Sequence, residues 1–85
     1  MLPTKLTVKQ AETLYFIKSF VKAEGYPPTL VEIAAEHGVT LNASASRIKS
    51  LVEKGAITRK PNHSRSIRPT PRFKFIVKES KNVGI

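Results

Sequence analysis

The chain has 85 residues, 40% of them hydrophobic and 25% charged, which is enough for one small core and too little for two. It contains no cysteine, which excludes a disulfide framework and a thiolate zinc site, and its two histidines, His37 and His63, cannot close a tetrahedral metal site alone. Fifteen Lys and Arg against six Asp and Glu give a net charge of +9. That charge is one-sided. Residues 1–46 balance four bases with four acids, whereas residues 47–85 hold eleven bases against Glu53 and Glu79. The bias points to a polyanionic partner, nucleic acid before an anionic membrane; a solubility device or an unstructured basic tail would carry the same bias. No apolar run approaches the roughly 20 residues that span a bilayer, and Met1–Thr7 lacks the apolar stretch of a signal peptide. The expectation is a soluble, cytoplasmic protein without a membrane partner or cofactor.

Taken in chain order, Thr7 and Gln10 have capping-box spacing and predict a helix start. Ala11, Leu14, Ile17, Phe20 and Val21 then recur at helical intervals until Gly25 offers a left-handed cap and Pro27-Pro28 blocks continuation. Tyr15 and Phe16 read as core and rim. Thr29 and Glu32 repeat the box and open a short second helix with Ile33, Ala34 and Ala35, ending at Gly38. On it, His37 reads as a satisfied, half-buried imidazole. Thr40 or Asn42 can cap a third helix in which Ser44, Ala45, Ile48, Leu51 and Val52 share one face and Ala43, Ser46, Arg47 and Ser50 take the other, up to Gly55.

From Ala56 the period changes. Ile57–Lys60 and Arg65–Arg68 read as two short strands around a turn-prone Pro61–Ser64, a hairpin with a basic tip and flanks. Beyond Pro69 and Pro71, Arg72–Lys78 alternates aromatic and basic residues as a third short strand, and the last seven residues read as a frayed end. The expected fold is mainly α with a small β-hairpin: a winged helix-turn-helix of three helices plus a wing over residues 1–69, followed by a basic tail over 70–85. Ala34 is small enough for the second and third helices to cross closely, and Val39 fills the space under the turn.

The runs Leu6–Gln10, Gly25–Thr29 with Glu32–Ala34, Leu51–Ile57 and Ser64–Arg68 resemble the N-terminal DNA-binding domain of the LexA repressor family. The similarity spans about Leu6 to Pro69, and its G-x-P-P-T-x-x-E-I-A block with the later S-R-x-I-R is specific. The resemblance implies a bacterial repressor module that reads operator half-sites with its third helix as one arm of a dimer. It places Asn42 at a base-contacting position, with Ala43, Ala45 and Ser46 beside it. The chain departs from the family in three respects. The turn Gly38–Asn42 is one residue shorter, Ala45 and Ser46 stand where the family commonly has two glutamates, and the self-cleaving domain with its serine–lysine dyad does not follow before Ile85. A glutamate accepts from cytosine N4 and alanine cannot, so the family operator need not be the target.

The expected DNA-contacting residues are thus Thr40, Asn42, Ala43, Ser46, Arg47 and Ser50 on the third helix and Arg59, Lys60, Arg65 and Arg68 on the wing. Each has a plainer role: Asn42 as an N-cap, Ala43, Ser46 and Ser50 as a neutral solvent face, Arg47 as a solvated charge, Arg65 as a partner for a helix C-terminus. Two functions remain open: a sequence-specific double-stranded DNA-binding regulator, expected to repress, or a protein-interaction module such as an anti-repressor on the same fold. No paired carboxylates beside a histidine, thiol nucleophile or phosphate-cradling glycine loop supports an enzyme. The apolar face of Phe73, Phe75 and Val77 needs a cover, either the first helix or the same strand of a second copy, and the dimer is the expectation favoured.

Overall fold

The computed structural model describes residues 3–78. Its elements are β1 (Thr4–Thr7), α1 (Val8–Glu24), α2 (Leu30–His37), α3 (Leu41–Glu53), β2 (Ile57–Thr58), β3 (Arg68–Pro69) and β4 (Phe75–Lys78). This is the mainly helical winged helix-turn-helix that the sequence predicts. Both capping boxes form: Thr7 Oγ1 accepts from Gln10 N–H while Gln10 Oε1 accepts from Thr7 N–H, and Thr29 and Glu32 repeat the exchange. Each satisfies donors that the first helical turn leaves without intrahelical partners. α1 ends at Gly25, whose N–H reaches Val21 carbonyl at 2.9 Å.

Gly38 makes the turn of the helix-turn-helix. Its φ of 63° lies in the left-handed region, which costs glycine little, and there it lets Val39 N–H return to Ala34 carbonyl at 3.1 Å. α3 can therefore leave in a new direction without stranding α2's carbonyls. Leu6, Leu14, Ile17, Ile33, Ile48, Leu51, Ile57 and Ile67 are buried together beneath all three helices and the wing. Ser44 is buried too, its hydroxyl donating to Leu30 carbonyl at 3.3 Å and tying the start of α2 to α3. Among the described residues no helix is long and apolar enough to cross a membrane.

Several local expectations change. The sequence reading contains no β1, yet Thr4–Thr7 pairs in parallel with β4, in the register Thr4 to Phe75 through Thr7 to Lys78. The strand expected over Arg72–Lys78 forms only at Phe75–Lys78, because the chain first turns at Arg72, which has a φ of 60°. Phe73 and Phe75 stack on each other and pack against the core, and Phe75 meets Tyr15 of α1 at 5.8 Å between ring centroids. The chain's own first helix and core thus cover Phe75 and Phe73, while Val77 of the same expected face stays 40% exposed. Beyond Pro69, Thr70 N–H donates to Ala56 carbonyl, and Phe73 and Phe75 pack against the same core. The end expected to fray, 79–85, lies outside the described residues.

The wing strands are also shorter than expected, Ile57 facing Pro69 and Thr58 facing Arg68. Tyr15 and Phe16 exchange roles: Tyr15 is 53% exposed, while Phe16 packs on the core and against His37. The His37 ring is half-buried as expected, but its Nε2 finds no hydrogen-bond partner among the described residues, so it is not satisfied. Lys54 acts as a strut instead of a surface charge, donating at 2.8 Å to both Lys5 carbonyl and Gln10 Oε1. It joins the end of α3 to β1 and the start of α1.

Candidate nucleic-acid interface

The rotation of α3 about its axis decides what it offers a partner. Thr40, not Asn42, is its N-cap: the Thr40 hydroxyl accepts from Ala43 N–H at 3.1 Å, and Asn42 lies inside the first turn with its side chain exposed. Ser44, Ile48 and Leu51 are the buried side. At 100° per residue the opposite stripe is Asn42, Ser46, Lys49 and Glu53, all exposed. Ala43, Arg47 and Ser50 are half-buried on one flank of that stripe, so the outward face expected from sequence is rotated by part of a turn. Ala45 and Val52 border the other flank, where with Ile48 and Lys49 they share an open channel with Arg59, Pro61 and Asn62 of the wing.

Lys49 is the residue the sequence reading missed. It is exposed on the stripe of Asn42 and Ser46 and lines the channel with Arg59, and a helical wheel centred on Ser44, Ile48 and Leu51 would have placed it there. Val52, expected on the buried face, instead opens toward the wing.

The wing tip is shaped by Ser66, whose hydroxyl accepts from Lys60 N–H at 3.0 Å and lies within hydrogen-bond reach of the carbonyls of His63 and Lys60. Asn62 takes a left-handed φ of 66°, a conformation asparagine tolerates better than most residues. Arg59, Lys60 and Arg68 are exposed and line the concave face of the wing with His63 and Ser64. Among the described residues no carboxylate lines that face.

Arg65 is held differently. Its guanidinium donates to both Glu32 carboxylate oxygens and to Pro27 carbonyl, and it lies over the Tyr26 ring at 4.7 Å. It serves as a structural partner, though at the N-terminal turn of α2 and not at a helix C-terminus. Arg65, helped by the Thr29 backbone N–H, holds the Glu32 carboxyl below the usual glutamate range, and the same contact raises Arg65. Glu32 therefore serves both the cap of α2 and the anchor of the wing.

A family model of the LexA DNA-binding domain matches residues 3–66. Over 65 residues, 75% of this chain, it is 51% identical to the LexA repressor of Pseudomonas chlororaphis, 49% to that of Pseudomonas aeruginosa strain LESB58 and 46% to that of Marinobacter nauticus. The chain spans about a third of the length of these curated relatives, 32% in each case. The match covers the three helices and most of the wing, and the resemblance read from Gly25–Thr29 and Ser64–Arg68 holds: the chain belongs to the LexA DNA-binding domain family.

Proposed function

We propose that the protein is a sequence-specific double-stranded DNA-binding regulator, a repressor of transcription in the bacterial cytoplasm, with no catalytic role. α3 enters the major groove, Asn42, Ser46 and Lys49 facing base edges and the near phosphates, while Arg59, Lys60 and Arg68 of the wing follow the backbone. Thr40, Ala43, Arg47 and Ser50 border the contact. The observation that carries this reading is one cationic surface: an α3 stripe free of acids until Glu53, continuous with the exposed bases of the wing. The relatives' printed name, LexA repressor, supports the regulatory role.

A single module of this size buries limited surface on DNA, so the reading includes binding as a pair on two half-sites, each with its own copy. The test is an electrophoretic shift against a random duplex pool, followed by sequencing of the bound fraction. A recurrent motif with binding that weakens as salt rises is expected. Failure to shift any duplex at low salt, together with capture of a protein partner, would put the interaction-module reading in its place.

A further inference from the structure

The α3 face turned toward the wing is apolar. Leu41, the first residue of α3, is 49% exposed, Val31 of α2 beside it is 64% exposed, and with Leu30 and Ile67 they line a groove at the base of the wing. One turn along α3, Ala45 lines the channel between helix and wing. Single exposed apolar residues need no explanation, but here a group of them lies between helix and wing, bordered by Lys49 and Arg59. Charge on that border selects a polyanion over a second protein's apolar surface. The part of a DNA major groove that rewards apolar contact is the thymine 5-methyl group.

The polar groups nearby narrow the choice further. The Thr40 hydroxyl accepts from Ala43 N–H in the cap, and the first three turns of α3 carry no carboxylate that could accept from cytosine N4. Resting on the DNA-binding function proposed above, we propose that Leu41 and Ala45 recognise thymine 5-methyl groups, so that this chain's operator carries thymine where these residues meet the groove. Asn42, between them in sequence and on the adjacent stripe, supplies the hydrogen-bonding partner for a neighbouring base.

The experiment takes the duplex selected from the random pool and replaces each thymine in turn with uracil, which removes the methyl and keeps the base pair. Affinity of the wild-type protein should fall about fourfold at one or two positions, the weight of one buried methyl. Leu41→Ala or Ala45→Gly should erase the uracil penalty at its own position and leave the others. Replacing that T·A pair with 5-methylcytosine·G, which keeps the methyl, should bind better than unmethylated C·G. Ala45→Glu should shift the preferred base at its position toward cytosine. A selected duplex indifferent to uracil at every thymine overturns the methyl reading while leaving DNA binding intact. Selection of no duplex overturns both.

Discussion

Arg65 and Glu32 meet in a two-point contact, Nη1 to Oε1 at 2.9 Å and Nη2 to Oε2 at 3.0 Å, across 33 residues of chain. Lysine can reach one of those oxygens but cannot reproduce the fork or its stacking on Tyr26. Arg65→Lys should therefore lower the thermal midpoint and loosen the wing against α2, with no change in the salt slope of DNA binding. If Arg65→Ala left the midpoint alone and made that slope shallower by about 0.9, Arg65 would be a phosphate contact instead.

The same pair sets a pH dependence. A carboxyl whose folded pKa is lowered adds stability that is fully present above the ordinary glutamate value and is lost as pH falls through the lowered one. Glu32→Gln should melt below wild type at about pH 7, and the gap should close as the pH falls through the lowered value of the wild-type carboxyl and protonates it. Thermal melts across that range decide it; a gap independent of pH would mean that the capping contact, which glutamine can keep in part, is not where the charge acts.

On α3, position relative to the outward stripe should rank the side chains. Asn42→Ala should cost on the order of 1–3 kcal/mol with the selected operator and relax preference at one base. Lys49→Ala should weaken all duplexes alike, and Arg47→Ala, on the flank, should do less than either. Fluorescence anisotropy with the operator and a scrambled duplex separates these patterns, and a larger loss at Arg47 than at Lys49 would mean that the helix enters the groove rotated toward its other flank.

For the wing, changing Arg59, Lys60 and Arg68 together to Ala should reduce affinity for every duplex to a similar degree. The salt slope should become shallower by up to about 0.9 for each phosphate no longer neutralised. A loss confined to the selected motif would instead indicate base reading in the minor groove. The measurement is binding as a function of salt on both duplexes.

β4 should matter for stability and not for recognition. Phe75→Ala removes a half-buried ring from Tyr15 and Phe73 and should cost on the order of 1–2 kcal/mol in denaturant unfolding, with operator affinity at saturating stability unchanged. A chain ending at Thr70 should be destabilised more, since β1 then has no strand to pair with. Sedimentation of both chains at DNA-saturating concentrations shows in addition whether the tail has any part in pairing two copies.

The helices were legible because their signals are local: Thr7–Gln10 and Thr29–Glu32 announce two starts within four residues each, and Gly25 and Gly38 mark two ends. β1 was not, since four residues of strand directly before a helix cap have no period of their own and exist because β4 lies beside them. The basic character of the site was visible in composition alone. Its geometry was legible only in part: Ser44, Ile48 and Leu51 share the buried face as read, but grouping Ala45 and Val52 with them turned the expected outward face from Lys49 to Arg47, and only tertiary packing shows that Val52 opens toward the wing. Arg65 looked like its basic neighbours until Glu32, Pro27 and Tyr26 were brought beneath it.

The parallel pairing of β1 with β4 also bears on the order in which the molecule assembles. Thr4 and its partner Phe75 are separated by nearly the whole described chain, so their contact closes the longest loop available and is entropically the slowest to reward. During synthesis the three helices can dock as they emerge. β1, made first, must wait unpaired until residue 78 has cleared the ribosome, a delay of several seconds at about 5–20 residues per second. β1 is thus translated before its partner and fixed only after it, and the strut from Lys54 to Lys5 is the nearest contact that can hold it in the interval.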